Sequence, residues 1–292
     1  MTIREVLINI RERLQNAGIE DFEYESWAFL DWKLHIDRAE FYMNPNGEVK
    51  EELLAELESV LKQREQRVPL QYLMGECEFM GYDFYVDERV LIPRQDTEIL
   101  VEEVLKELHD GMRVLDMCTG SGCILLSLLH YSNACEGLGV DLSADALEVA
   151  EQNAETLLDA VNADRVHFLQ SDLFDKVEGK FEIIVSNPPY IASAEVEKLM
   201  PEVRDHEPRM ALDGTEDGLH FYRRIIEEAG KHLVSSGMLF FEIGYDQGQA
   251  VSELMRTEGY REVQVVQDYA GLDRVVFGTY VTVQPAPFAK SR

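Results

Sequence analysis

The chain has 292 residues, 46% hydrophobic and 28% charged, a composition typical of soluble globular proteins. Its formal net charge of −29 repels a polyphosphate backbone and argues against direct nucleic-acid binding. No apolar run approaches the roughly 20 residues that span a bilayer, and residues 1–5 lack the apolar core of a signal peptide. We therefore expect a cytoplasmic protein without a membrane partner.

Apolar residues near the N-terminus recur at helical spacing, which predicts a first helix marked by Ile3, Val6, Leu7, Ile10 and Leu14. Similar patterns predict helices through residues 24–34 and 53–61, and no strand pattern precedes Phe79. We predict a small all-helical domain over residues 1–75. The β-forming residues between Phe79 and Ile92 then predict a β-hairpin, assigned to a linker over residues 76–97.

From residue 98 onward, predicted strands and helices alternate along the chain. The strands are 113–117, 137–140, 166–169, 181–185, 238–242, 263–266 and 275–282, and the helices are 99–108, 124–129, 144–158 and 221–233. This alternation predicts a mostly parallel sheet in an α/β domain over residues 98–283. The last two strands lie too close in sequence for a helical crossover and should pair antiparallel. Residues 284–292 are expected to form a loose tail.

A glycine-containing loop follows the first predicted strand of the α/β domain. Gly120 and Gly122 allow the backbone to approach a ligand closely, next to the N–H groups at a helix N-terminus. The third glycine of the dinucleotide fingerprint is missing, because Leu125 occupies its position, and no Walker lysine follows. Asp116, just before the loop, could hold the amino group of a methionine-like ligand or hydrogen-bond the loop itself.

Two further acids follow the next two predicted strands. Asp141 lies where an acid commonly accepts hydrogen bonds from ribose hydroxyls. Asp172 could accept from an adenine amino group, with Leu173 packing on the ring, or could only tie a loop. The loop and its acids indicate a nucleoside cofactor. An NAD-dependent oxidoreductase remains an alternative that the missing third glycine disfavours.

The sequence Asn187-Pro188-Pro189-Tyr190 directly follows a predicted strand. Its prolines stiffen the backbone and remove two N–H donors. The side-chain carbonyl of Asn187 and the backbone carbonyl of Pro188 can both accept from one NH2 group. They would thereby orient a planar nitrogen for attack, and Tyr190 can stack on the substrate. This turn predicts S-adenosylmethionine-dependent methylation of an amide or amine nitrogen.

With these motifs the chain resembles the release factor glutamine methyltransferases, which methylate the side-chain amide nitrogen (N5) of the Gly-Gly-Gln glutamine in peptide chain release factors. The likeness spans nearly the whole chain, and besides the loop and the turn it is carried by residues 67–75, 91–98, 207–214 and 242–244, together with Gln247. An Asn-Pro-Pro-Tyr turn also occurs in DNA adenine methyltransferases, so the flanking segments carry the specificity. A nucleic-acid adenine N6-methyltransferase is the alternative function, and an inactive cofactor-binding adaptor is disfavoured by the intact turn.

The resemblance implies a helical N-terminal domain that helps to grip the release factor, a β-hairpin linker and a seven-stranded, Rossmann-like class I methyltransferase sheet. It also implies S-adenosylmethionine as the cofactor, with S-adenosylhomocysteine as its product. The predicted cofactor-binding residues are Asp116, Cys118, Thr119, Gly120, Ser121, Gly122, Asp141, Asp172, Leu173 and Asn187. The predicted substrate-binding residues are Asn187, Pro188, Pro189, Tyr190, Arg94 and Glu98, of which Asn187, Pro188 and Tyr190 are predicted to be catalytic. For Arg94 and Glu98, a linking salt bridge is an equal alternative.

Three positions depart from the family pattern. Gln95 stands where the family usually has a proline, and Cys118 replaces a common glycine in the loop. Thr215 replaces the second glycine of a pair after Asp213. The first two departures are expected to change loop stiffness, and the third a turn. The four cysteines and the histidines lack metal-site spacing, so no metal site is predicted.

Overall fold

The computed structural model describes residues 1–158 and 164–281. Contacts along the chain divide it into two compact units. The helical unit comprises Met1–Glu76, Val86–Glu88 and Leu199–Glu207, and the sheet unit contains the rest. The predicted tail over 284–292 lies outside the described residues. No helix within the described ranges is long and apolar enough to cross a membrane.

The helical unit packs its helices around one apolar core. The first five helices of this unit are α1 (Ile3–Asn16), α2 (Phe22–Leu34), α3 (Arg38–Met43), α4 (Glu51–Glu65) and α5 (Leu70–Met74). The chain begins α1 with a capping box, in which the Thr2 side chain accepts from the Glu5 N–H and the Glu5 carboxylate accepts from the Thr2 N–H. The predicted apolar stripe of α1 is buried, whereas the short helices α3 and α5 were not predicted.

The hairpin is shorter than predicted. Its strands are β1 (Glu76–Phe79) and β2 (Tyr82–Tyr85). The prediction that the strand pair extends to Ile92 is wrong, since no strand runs between Tyr85 and α6 (Gln95–Glu107). Val86 instead donates its N–H to the Gly75 carbonyl. Pro93 has no N–H that could donate to a neighbouring strand.

The sheet unit contains a seven-stranded sheet, which confirms the predicted fold class. Its strands are β3 (Arg113–Met117), β4 (Glu136–Asp141), β5 (Val166–Gln170), β6 (Phe181–Ser186), β7 (Leu233–Glu242), β8 (Arg261–Gln267) and β9 (Asp273–Thr279). Their order is β5-β4-β3-β6-β7-β9-β8. Strands β3 to β7 run parallel, and β9 pairs antiparallel with both β7 and β8, as predicted for the last two strands.

The remaining helices connect these strands. They are α7 (Cys123–His130), α8 (Ala144–Leu157), α9 (Ser193–Val196), α10 (Pro201–His206), α11 (Arg209–Leu212), α12 (His220–Ala229) and α13 (Gly248–Thr257). All except α10 belong to the sheet unit. Helix α12 ends at Ala229, earlier than predicted, because β7 already begins at Leu233. Helices α9, α10, α11 and α13 were not predicted.

The strand order places a topological switch point at β3, between β4 and β6. The chain adds β4 and β5 on one side of β3 and then returns to place β6 on its other side. Met117 at the end of β3 is in register with Val140 of β4 and Ser186 of β6. In open parallel sheets, ligands bind in the crevice beyond these carboxyl ends. The fold therefore locates the candidate site at the residues that follow β3, β4 and β6.

Candidate active site

An open cleft lies at this edge of the sheet and has a volume of about 950 Å³, including space that opens to solvent. The sequence-predicted site residues that line it are Cys118, Gly120, Asp141, Asp172, Leu173, Asn187 and Pro189. The other predicted residues, Asp116, Thr119, Ser121, Gly122, Pro188, Tyr190, Arg94 and Glu98, are not part of its lining. The structure thus brings the loop, two of the acids and the turn to one cleft, with several predicted residues behind its wall.

The glycine loop reverses direction through left-handed backbone conformations. Cys118, Gly120 and Gly122 have φ angles of 63°, 55° and 79°. A Cβ atom on Gly120 would meet no atom within 4 Å, so the missing side chain leaves the cleft open at this point. The Gly120 N–H donates to Asp141 Oδ2 over 2.9 Å. The loop is therefore fixed by the same carboxylate that is predicted to bind a ribose.

Asp116 is fully buried at the end of β3 and ties the glycine loop from behind. Its Oδ2 accepts from the Thr119 hydroxyl over 2.6 Å, and burial raises the pKa of Asp116 to about 7. Its Oδ1 has no hydrogen-bond partner among the described residues. An unpaired buried carboxylate oxygen is costly, and a donor from a bound ligand would remove that cost. Of its two predicted roles, the loop tie is present, and the contact with an amino group stays a prediction.

Asp141 joins the glycine loop to the start of α8. In addition to the bond from Gly120, its Oδ1 accepts from the Ser143 N–H over 2.9 Å. Burial raises the pKa of Asp141, while these backbone N–H groups favour its charged form. Each carboxylate oxygen has a second lone pair. Asp141 can therefore accept from ligand hydroxyls in the cleft without releasing the loop.

Asp172 is less closely tied to the cleft than Asp141. It forms an ion pair with Arg224 over 2.9 Å, and 46% of its side chain is exposed. Leu173, which follows it, is buried and has a φ of 47°. The predicted contact of Asp172 with an adenine amino group would therefore compete with the ion pair.

The Asn-Pro-Pro-Tyr turn begins where β6 ends. The Ser186 hydroxyl donates to the Met117 carbonyl over 2.6 Å and ties this turn to the end of β3. Asn187 Nδ2 donates to the Thr97 hydroxyl over 3.4 Å. With Nδ2 bonded to Thr97, Oδ1 is the acceptor atom of this amide. Asn187 and Pro189 contribute to the cleft lining.

Tyr190 faces a buried carboxylate. Its hydroxyl donates to Glu242 Oε1 over 3.3 Å, and burial raises the pKa of both groups. The ring packs against the core cluster of the sheet unit and does not line the cleft. The predicted stacking of Tyr190 on a substrate stays a prediction, and the contact that the structure contains anchors the turn.

Gln247 ties the turn to two other backbone groups and to one side-chain hydroxyl, a role that was not predicted. Its Nε2 donates to the carbonyls of Tyr190 and Gly218 over 3.0 and 3.3 Å. Its Oε1 accepts from the Gly244 N–H over 2.9 Å and from the Tyr222 hydroxyl over 3.4 Å. Gln247 is one of the residues that carry the family resemblance, and this was the only signal in the sequence.

Gly218 allows its own segment to approach the turn. A Cβ atom there would lie 2.3 Å from the Tyr190 carbonyl oxygen, and its φ is 72°. We expect Gly218→Ala to lower turnover at least about tenfold, because the turn must move away from the new methyl group. Gly111→Ala is the matched control, with a φ of 80° but no atom within 4 Å of the added Cβ. It should lose only about 1 kcal/mol of unfolding free energy. Equal turnover in the two variants would contradict this role of Gly218.

Family models match two parts of the chain. Residues 5–75 match the PrmC N-terminal domain, and residues 94–203 match the methyltransferase small domain. A release factor glutamine methyltransferase from Clostridium acetobutylicum is 42% identical over 281 residues, covering 94% of this chain and 98% of that protein. One from Geobacter sulfurreducens is 40% identical over 278 residues, covering 95% and 96%. The chain belongs to the release factor glutamine methyltransferase family. The family prediction is thus confirmed.

A likeness to a solved structure supports the fold. A methyltransferase from Pyrococcus furiosus superimposes with a TM-score of 0.52 at 18% identity, covering 75% of this chain and 99% of that chain. At this identity the likeness concerns the fold alone. The predicted methyltransferase fold and enzyme class are confirmed by these relatives together with the matched methyltransferase domain.

The three departures from the release factor glutamine methyltransferase pattern lie at two kinds of backbone position. Cys118 and Thr215 adopt φ angles of 63° and 72°, where glycine is the unstrained residue. Gln95 is the first residue of α6, a position at which proline is well accommodated. The family's usual residues therefore suit the backbone of this chain better than its own residues do.

Replacement of Thr215 by glycine is expected to stabilise the protein. A β-branched residue at positive φ costs about 1 kcal/mol or more, and glycine would recover part of this. The control is Thr156→Gly within α8, which should instead lose about 1 kcal/mol. Thermal unfolding of both variants measures the two signs, and a lowered melting temperature of the Thr215 variant would contradict the strain.

Arg94 and Glu98 lie at the beginning of α6 in the sheet unit. Arg94 directly precedes α6, and Glu98 accepts from the Met80 N–H over 2.7 Å at the hairpin turn. Neither residue lines the cleft. The contact of Glu98 holds the hairpin, and substrate binding by this pair stays a prediction.

Proposed function

We propose that this chain transfers a methyl group from S-adenosylmethionine to the side-chain amide nitrogen (N5) of the glutamine in the Gly-Gly-Gln motif of peptide chain release factors. One observation carries the proposal: Asn187 lines the same cleft as Gly120 and Asp141. An amide bound by Asn187 would therefore share this cleft with a nucleoside bound by Asp141. The family relatives, named for this activity, support the same substrate.

The residues of the cleft fit the proposed cofactor. Asp141 offers acceptors for ribose hydroxyls, and the absent side chain of Gly120 leaves room for a ligand against the loop. Asp116 does not line the cleft, but its Oδ1 has no hydrogen-bond partner among the described residues, and its contact with an ammonium group stays a prediction. When bound, S-adenosylmethionine supplies a methyl group attached to a positively charged sulfur, and the sulfur is the leaving group when a nitrogen lone pair attacks the methyl carbon.

The chain itself would act on the glutamine by orientation. An amide nitrogen is a weak nucleophile, since its lone pair is delocalised into the carbonyl. Asn187 Oδ1 and the Pro188 carbonyl would each accept one N–H of the substrate amide and fix the plane of the nitrogen. Both acceptors are neutral oxygen atoms, so they favour the positive charge that develops on the nitrogen without removing its proton beforehand.

The acceptors are useful only if the turn is rigid. Pro188 and Pro189 fix their own φ angles, while Gln247 and Glu242 bind the carbonyl and the hydroxyl of Tyr190. The turn is thus held at the backbone and at the side chain of Tyr190, by two residues that do not line the cleft. Such preorganisation avoids reorganisation cost at the moment of transfer.

The proposal is tested by mass spectrometry of a release factor after incubation with this protein and S-adenosylmethionine carrying a deuterated methyl group. We expect one labelled methyl group on the glutamine of the Gly-Gly-Gln motif. A release factor with Gly-Gly-Asn in that place is the control and should remain unlabelled. Label on adenine in DNA, or no label on the intact release factor, would overturn the proposal.

A further inference from the structure

An ion cluster in the helical unit contains the buried Glu25, Arg64 and Glu202 and the partly buried Arg67. Arg64, only 3% exposed, donates to both oxygens of Glu25 over 2.7 and 2.9 Å and to Glu202 over 2.9 Å. Arg67 donates to the two oxygens of Glu202 over 2.7 and 2.6 Å. Two arginines and two glutamates balance in charge. The Glu202 carboxylate therefore accepts hydrogen bonds from two guanidinium groups, and each charge in the cluster has a partner of opposite sign.

Arg67 is fixed on its other side as well. Its Nη1 donates to the carbonyls of Ala17 and Gly18 over 3.1 and 2.8 Å, at the end of α1. Its backbone has a φ of 69°, which is unfavourable for arginine. A guanidinium that is pinned in this way presents its fork to Glu202 in one orientation. Arg67 therefore fixes the position of the Glu202 carboxylate in addition to balancing its charge.

Glu202 is part of residues 191–214, here called the excursion loop, which begins directly after the Asn-Pro-Pro-Tyr turn and returns to it. The two ends of the loop, its feet, are hydrogen-bonded to each other: the Ile191 N–H donates to the Leu212 carbonyl over 3.0 Å, and the Gly214 N–H donates to the Ile191 carbonyl over 2.8 Å. Between the feet, Leu199–Glu207 belongs to the helical unit. The same loop contributes residues to the cleft wall, namely Pro208, Met210, Ala211 and Asp213.

We propose that the grip of Arg64 and Arg67 on Glu202 positions the amide-binding turn, through the excursion loop whose feet lie beside Tyr190. Inside the excursion loop, Arg209 pairs with Glu197 and Ser193 bonds to Asp213. The segment between Glu197 and Arg209 would still sample many conformations, and an anchor at Glu202 divides it into two shorter segments with fewer. Each of these segments leads to a foot of the loop beside the turn. Displacement of reacting groups by about 1 Å can cost about a hundredfold in rate. The cluster is thus a positioning element. Of the measurements that test this role, only turnover rests on the proposed function.

The test compares this cluster with a similar one that does not reach the loop. Arg67→Gln combined with Glu202→Gln removes one charge of each sign and leaves the Arg64–Glu25 pair balanced, which protects folding. Glu202→Gln alone is the simpler variant. The control is Arg13→Gln, because Arg13 pairs with Glu65 over 2.7 Å and with Glu58, joining α1 to α4 in the same helical unit.

Three measurements are made on each full-length variant: the rate of trypsin cleavage after Lys198 and Arg204, turnover on the release factor, and calorimetric affinity for S-adenosylhomocysteine. In both Glu202 variants, cleavage should rise and turnover should fall, each at least about tenfold. Affinity should fall by less than turnover, because the glycine loop and Asp141 are fixed by their own contacts and the excursion loop forms only part of the cleft wall. Arg13→Gln should lower the melting temperature without changing cleavage or turnover.

Unchanged cleavage and turnover in the double variant would overturn the proposal, as would equal changes in Arg13→Gln. If the unaltered protein methylates no release factor, the proposed function fails, and the cleavage rates still decide whether the cluster holds the loop.

Discussion

Replacement of Asn187 by alanine should lower the rate of methyl transfer at least about a hundredfold, the range seen when one oriented polar group is removed from a reacting centre. Its affinity for S-adenosylhomocysteine should stay within about threefold, because the proposed interaction forms with the substrate nitrogen and not with the cofactor. The structural basis is the fixed amide: Nδ2 is engaged by Thr97, so Oδ1 is the atom left for the substrate.

Single-turnover kinetics and calorimetry on Asn187→Ala measure the two quantities separately. Thr97→Val is the matched control, because it removes the partner of Nδ2 while keeping Asn187 itself. In Thr97→Val the Asn187 amide can rotate, and the rate of methyl transfer should fall about tenfold, less than in the alanine variant. Turnover near that of the unaltered chain in Asn187→Ala would remove the role given to this residue. A large loss of cofactor affinity would assign Asn187 to the cofactor instead.

The central strands could be predicted because their local patterns agree with their environment. The run Ile183-Ile184-Val185 is fully buried in β6, as expected for a strand covered on both faces. Helix α13 was missed, since it begins at Gly248 and its only large buried side chains are Val251 and Met255. A glycine start and a thin apolar face resemble a loop, and only the packing of α13 on the neighbouring strands stabilises it as a helix.

In the site, the residues of contiguous motifs were predictable and their distant partners were not. Gly120, Asp141 and Asn187 each follow a strand, so strand prediction alone brings them to one edge of the sheet. Gln247 bonds to Tyr190 across 57 residues, and Arg67 bonds to Glu202 across 135. No local periodicity encodes such pairs, because they depend on how the chain returns to itself.

Asp141→Asn is expected to weaken the binding of S-adenosylhomocysteine about tenfold to a hundredfold, the value of one or two hydrogen bonds to a charged acceptor. The substituted amide also places an N–H group against the N–H of Gly120 or Ser143, which loosens the loop. Asp172→Asn is the matched control. Its carboxylate is half-exposed and already paired with Arg224, so the affinity should change by no more than about threefold.

The same acid gives a pH dependence with a definite sign. Burial raises the pKa of Asp141, so its carboxylate becomes protonated at a higher pH than an ordinary aspartate. Protonation removes an acceptor from the cleft, and cofactor affinity should therefore fall as the pH is lowered through that raised pKa. Calorimetric titrations across the acidic range should show this fall in the unaltered chain and in Asp172→Asn but not in Asp141→Asn. A persistent fall in Asp141→Asn would move the titration to another group, with the buried Asp116 as the first candidate, since its pKa is raised to about 7.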